Sequence, residues 1–244
     1  PDWVVVTAGL GNGIAMTLHA LTEPGDEVIM FSPVYHEFRM KVQRAGRVPR
    51  ELPLVRTETS FELDFDTYEA MLTGRERVVL FSSPHNPGGR IWTEAELSGL
   101  AAFCERNDLI LVSDEIHSDI VFPGQTHRMT RLAAPKARDR LITMTSASKV
   151  FNLAGLRTGN VIIENADMRA RLTGFMDSIN LQPNFFGVKV CEAAFSPEGA
   201  EWVDQLCAYL AGNARIFEEA VAGIPGVTAT HMQATYLAWL DFAG

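Results

Sequence analysis

Leu141-Ile-Thr-Met-Thr-Ser-Ala-Ser-Lys-Val-Phe-Asn-Leu-Ala-Gly-Leu-Arg157 changes character in the middle. Its first five residues form an apolar run of the length of a buried strand, and the polar cluster that follows reads as the strand's carboxyl end. A lysine placed where a strand ends, here Lys149, is able to desolvate, lose its proton and form a Schiff base with an aldehyde. Arg157, eight residues on, carries a planar guanidinium that suits a phosphate. Taken alone, Lys149 reads as a surface lysine beside a loop. The neighbouring stretches weigh against that.

Two further apolar runs end the same way. Arg77-Val-Val-Leu-Phe81 leads into Ser82-Ser-Pro-His-Asn-Pro-Gly-Gly-Arg90, and Leu109-Ile-Leu-Val112 leads into Ser113-Asp-Glu-Ile-His-Ser-Asp119. Open α/β sheets place ligands at the carboxyl ends of their strands, so Asn86, Asp114 and Lys149 can converge on one small molecule. Strand-like runs recur at 3–7, 27–31, 77–81, 109–113, 141–145 and 160–163, with helical stretches between them. That alternation predicts an α/β fold, a three-layer α-β-α sandwich around a mostly parallel sheet.

Several helices announce their starts. Thr93-Glu-Ala-Glu96 is a capping box opening a helix to about Asn107, and Asp66 is placed to cap a helix through Leu72. Gly11 to Leu21 reads as a glycine-rich entry into a helix, and a long helical pattern runs from about Trp202 to Ala222 before Gly223-Ile-Pro-Gly226. The domain change is placed near the start of that last helix, giving a large domain over 1–203 and the beginning of a smaller α+β domain over 204–244.

Thirty acidic residues against twenty-one Lys and Arg leave a net charge of −9. This disfavours nucleic-acid and anionic-membrane surfaces, which need clustered positive charge. Cys104, Cys191 and Cys207 are odd in number and widely spaced, as expected of reduced thiols in a cytoplasmic protein. No apolar run approaches a membrane span and no signal-peptide pattern opens the chain. His85 and His117 lack the spacing of a metal pair, so no metal site is expected.

Asn-Pro-Gly-Gly (86–89), Asp-Glu-Ile-His (114–117) and Ser-Ala-Ser-Lys (146–149) with Arg157 behind it resemble, in order and spacing, the fold-type I pyridoxal-phosphate enzymes of the aminotransferase class I/II superfamily. Pro84-His-Asn-Pro-Gly-Gly-Arg90, Lys149-Val-Phe-Asn-Leu-Ala-Gly155 and Ala234-Thr-Tyr-Leu-Ala-Trp-Leu-Asp241 are most similar to the MalY/PatB subgroup of cystathionine β-lyases, also called cysteine-S-conjugate β-lyases. The resemblance implies pyridoxal 5'-phosphate as cofactor, attached to Lys149, which also moves the substrate's α-proton. It implies Asp114 at the ring nitrogen, Asn86 at the phenolic oxygen with His117 beside it, and Tyr35 stacked on the ring. It gives the phosphate to the amides of Leu10 and Gly11, to Ser146 and to Arg157. Glu115, adjacent to Asp114 in an extended segment, is expected to face the other way.

By the same resemblance the reaction is a C–S β-lysis of cystathionine or a related cysteine conjugate to pyruvate, ammonia and a thiol. An aminotransferase shares every residue named, and a regulatory or protein-binding module of the same fold is the non-enzymatic alternative. The opening Pro1-Asp-Trp-Val-Val-Val6 has no initiator Met, and Leu240-Asp-Phe-Ala-Gly244 reads as a strand end. The chain is therefore expected to be a fragment of a homodimeric parent. The arginine for the substrate carboxylate and a partner-borne phosphate tyrosine are expected outside it, so the chain alone should bind cofactor weakly.

Overall fold

Runs of apolar residues become central strands here because both of their faces are covered. The computed structural model describes residues 2–242; Pro1, Ala243 and Gly244, which belong to the opening and closing runs quoted above, lie outside the described residues. The first half of the chain forms β1 (Val4–Thr7), α1 (Leu10–Leu21), β2 (Glu27–Ser32), α2 (His36–Arg44) and β3 (Val48–Pro53). A short hairpin of β4 (Val55–Arg56) and β5 (Phe61–Glu62) precedes α3 (Phe65–Met71), β6 (Glu76–Ser82), α4 (Glu94–Arg106) and β7 (Ile110–Asp114). The one-turn α5 (Thr130–Ala133) leads to β8 (Leu141–Thr145) and β9 (Gly159–Ile163). Helices α6 (Ala166–Ser178), α7 (Phe185–Ala194) and α8 (Pro197–Ala222) follow, then the small pair β10 (Thr228–Ala229) and β11 (Leu240–Asp241).

The main sheet has the order β1-β9-β8-β7-β6-β2-β3. Strands β3, β2, β6, β7 and β8 pair in parallel, whereas β9 is antiparallel to both β8 and β1. Reversing β9 has a consequence for the site: its first residues sit at the edge where the parallel strands end. Side chains alternate between two cores, as period-two strands require. Val28, Met30, Val78, Leu80 and Val112 pack with α1, α2 and α6 on one face. Ile29, Phe31, Val79, Phe81 and Leu111 pack with α3 and α4 on the other. This is the expected three-layer sandwich.

The departures from sequence expectation have local causes. Strand β3 was not expected because it is an edge strand in which Leu52 alone is fully buried, so it carries no apolar run. The cap of α3 is Asp64, not Asp66: Asp64 Oδ1 accepts from the Thr67 N–H at 3.1 Å and Oδ2 from its hydroxyl at 2.7 Å. Helix α8 begins five residues before Trp202, at Pro197 behind the Ser196 cap. Its first turn, Pro197-Glu-Gly-Ala-Glu201, is too poor in apolar residues to show a helical pattern. The capping box at Thr93 forms as expected.

After α8 the chain returns to the sheet. The N–H groups of Gln233 and Ala234 both donate to the Gly89 carbonyl, at 2.8 and 3.0 Å, and the Thr235 N–H donates to Ile120 at 2.9 Å. Gly89 has φ +69, and a Cβ there would meet Met232 at 3.2 Å. Glycine therefore serves both the turn and the close approach. All three cysteines are free thiols, and no helix among the described residues is long and apolar enough to cross a membrane.

Candidate active site

At the carboxyl edge of the parallel strands lies a cavity of about 300 Å³. Six consecutive strands contribute to it. The turn after β1 supplies Gly9, Leu10 and Gly11; the segment before β9 supplies Arg157; the turns after β8, β7 and β6 supply Lys149, Asp114 with His117, and Asn86. Tyr35, which follows β2, completes the wall. Eight of the nine residues singled out from sequence thus line one space. Ser146 does not: it lies behind the wall, its hydroxyl donating to the Thr158 carbonyl at 2.7 Å and accepting from the Ser148 N–H at 3.1 Å.

The middle of the cavity is acidic but uncompensated. Asp114 is buried and among the described residues takes a single hydrogen bond, from the Ile116 N–H to Oδ1 at 3.1 Å. Burial, with help from the Glu115 charge, pushes its carboxyl up to about 7, against the opposing pull of the Ile116 N–H and the Lys149 ammonium. His117 is 2% exposed, and both its ring nitrogens lack a hydrogen-bond partner among the described residues. Burial and the Lys149 charge lower its pKa to about 4, so the ring is neutral at neutral pH. Buried polar atoms are normally satisfied. Two orphaned imidazole nitrogens beside a carboxyl with one bond mark a place built for a polar guest.

The end of the cavity beneath β1 and β9 is cationic. Gly9 is the N-cap of helix α1; its φ of +91 turns the chain sharply, and a Cβ there would lie 3.4 to 3.6 Å from the Arg157 backbone and Cβ. The helix has no side-chain cap. The Gly9 carbonyl accepts from Asn12 and Gly13, which leaves the N–H groups of Leu10 and Gly11 pointing out of the first turn. The Arg157 guanidinium and the Lys149 ammonium make no hydrogen bond or ion pair among the described residues. Free amides, the positive end of a helix and an uncommitted arginine form an anion site.

Neighbours of these residues are spoken for. Glu115 faces away, as expected: its carboxylate accepts from the Ser113 hydroxyl and the Thr130 N–H at 3.0 Å each and pairs with His127 Nε2 at 3.0 Å. His85 bonds Pro33 through Nε2 at 2.9 Å, its buried Nδ1 having no partner among the described residues, and is held at about 4 chiefly by burial. The Asn86 N–H donates to Ser82 Oγ at 3.2 Å, and Asn86–Pro87 is a cis bond.

Sequence reasoning missed three residues. Glu37 and Lys41 line the cavity from α2; the spacing of Lys41 from the buried Phe38 and Val42 was the available signal. Tyr236 lies edge-on to His117, ring centroids 5.5 Å apart. It belongs to the Ala234–Asp241 motif, but only the tail's return to the sheet brings it there.

Fold and site together define a class: an α/β protein that holds, over the strand ends of one sheet, an amine, a buried acid and an anion-binding helix terminus. The chain belongs to the aminotransferase class I and II family, which it matches over residues 1–244. It is 34% identical to cystathionine β-lyase PatB of Bacillus subtilis, covering 100% of this chain and 63% of that protein. It is also 34% identical to protein MalY of Escherichia coli, over 90% of this chain and 56% of that protein. Cystalysin from Treponema denticola, whose structure contains a pyridoxal 5'-phosphate cofactor, superposes with a TM-score of 0.93 at 34% identity, over 99% of this chain and 62% of cystalysin. The chain thus spans about three fifths of the length of these relatives.

Proposed function

We propose that this chain is the cofactor-binding part of a pyridoxal-phosphate-dependent C–S β-lyase, which cleaves cystathionine or a related cysteine conjugate to pyruvate, ammonia and a thiol. The observation that carries the proposal is the convergence on one cavity of the Lys149 amine, the under-bonded Asp114 carboxyl, the orphaned His117 ring and the free N–H groups of Leu10 and Gly11. An aldehyde-bearing pyridine with a phosphate arm matches that donor set group for group. When bound, it supplies a sink for the electron pair released at the substrate's α-carbon.

Lys149 would hold the aldehyde carbon and carry the α-proton. Asp114 would keep a proton on the ring nitrogen, because a buried carboxylate favours an adjacent cation. Asn86 and His117 would hydrogen-bond the phenolic oxygen, Tyr35 would cover the ring face, and Leu10, Gly11 and Arg157 would hold the phosphate, with Ser146 bracing the Arg157 segment through Thr158. In lysis, loss of the α-proton is followed by departure of the β-sulfur as a thiol. The relatives named cystathionine β-lyase support that outcome over transamination. An aminotransferase is the second reading, favoured by the family the chain belongs to.

The same proposal places the whole protein in the cytoplasm as a homodimer acting on a small amino acid, with the division between its domains at 203/204. The test is to incubate the whole protein that carries this chain with cystathionine, with and without a keto acid. Release of thiol and pyruvate without keto acid is expected. Strict dependence on a keto acid would replace the lyase with the aminotransferase.

A further inference from the structure

Lys41 reaches the cavity from α2 and not from a strand end. Phe38 and Val42 are fully buried and fasten α2 against α1. Lys41, three residues after Phe38, shares their side of the helix and is aimed at the first turn of α1. Its reach is visible at Gly11: a Cβ on that residue would lie 3.0 Å from Lys41 Nζ and 3.1 Å from Cε. Gly11 has no positive φ to explain it. It is glycine where the lysine head lies against the helix. Lys41 is tethered one turn back by Glu37, whose Oε2 is 3.3 Å from Nζ, and the side chains of both are only about a quarter exposed.

Two cations therefore flank the uncapped amides of Leu10 and Gly11: Arg157 from the β9 side and Lys41 from the α2 side. A phosphate ester carries close to two negative charges, more than one guanidinium neutralises. Glu37 stands beside the lysine and opposes any anion placed there.

We infer that Lys41 is a cofactor-positioning residue that supplies the second cation at the phosphate end of the cavity, and that Glu37 sets its strength by competing for it. The inference rests on the pyridoxal-phosphate reading proposed above. Lys41 makes an outer contact, partly open to water, so its contribution is modest and depends on ionic strength.

The test compares pyridoxal 5'-phosphate with pyridoxal, which has the same ring without the phosphate, as ligands for the whole protein that carries this chain, as wild type, Lys41→Met and Glu37→Gln, read by absorbance and fluorescence titration. Lys41→Met is expected to weaken the phosphate ester about fivefold at low salt and to leave pyridoxal unchanged. The loss should shrink at about 0.5 M salt. Glu37→Gln is expected to tighten the phosphate ester about twofold or more. Equal weakening of both ligands, or of neither, by Lys41→Met overturns the inference while leaving the cofactor reading intact. If the wild type binds neither ligand, the cofactor reading fails and the inference with it.

Discussion

Asp114 offers a test that needs no cofactor. Its carboxyl ionises near 3.8 in an unfolded chain and at about 7 in the folded one. The folded state therefore keeps a proton that the unfolded state releases. The stability tied to this group is fully present below about pH 4, is lost as pH rises, and is gone above about pH 7. At about 1.4 kcal/mol per pH unit, the interval from 3.8 to about 7 amounts to about 4 kcal/mol. Asparagine cannot ionise and nearly matches the protonated side chain in size, so Asp114→Asn should escape the loss. The cofactor-free variant is expected to exceed the wild type by about 2 kcal/mol at about pH 5 and by about 4 kcal/mol at about pH 8, a difference that no longer grows above pH 7.

Urea unfolding of both proteins across this range supplies the assay. His117 and His85, both held near 4 by burial, contribute the opposite slope. Their stability is present above about 6.5 and is lost as pH falls towards 4. The difference between variant and wild type cancels them, whereas the raw profile does not. Pyridoxal phosphate added at about pH 8 should reverse the ranking, because the wild-type carboxylate then gains a cationic partner that asparagine cannot match. A difference that stays constant with pH, or a variant less stable than the wild type at pH 8 without ligand, would refute the argument.

Other expectations follow from single contacts. Lys149→Ala should abolish the borohydride-trapped covalent adduct with pyridoxal phosphate, read by mass spectrometry, while leaving the melting temperature of the cofactor-free protein nearly unchanged, since the ammonium has no hydrogen bond or ion pair to lose among the described residues. Glu115→Gln, at a fully buried carboxylate that His127, Ser113 and Thr130 all address, should cost about 3 kcal/mol in urea unfolding. Gly187→Ala would put a Cβ 1.9 Å from Thr158 Oγ1 and 2.7 Å from the Leu156 carbonyl. Displacement of α7 should lower stability by about 2 kcal/mol and, by disturbing the Arg157 segment, weaken phosphate-ester binding. Thr93→Ala removes the hydroxyl half of a capping box, the acceptor of the Glu96 N–H, and should cost about 1 kcal/mol with no effect on ligand titration.

Much of this protein is local and was therefore legible in its amino-acid order. The central strands β2, β6, β7 and β8 are buried on both faces, so they must be apolar runs, and the polar clusters behind them mark the edge where a ligand sits. Asn86, Asp114, Lys149 and Arg157 could be singled out for that reason. What proximity alone creates could not be read. The reversal of β9 brings Arg157 to the same edge as Asp114, and strand direction leaves no trace in a run such as Gly159–Ile163. The 2-residue offset that separates Asp64 from Asp66 as a helix cap depends on which carboxylate meets a free N–H. The placement of Lys41 over Gly11 and of Tyr236 against His117 joins residues far apart in the chain through helix packing and a returning tail. Composition and period determine which face of an element is buried; only the assembled fold decides which distant groups share a cavity, and with it the proton held by Asp114.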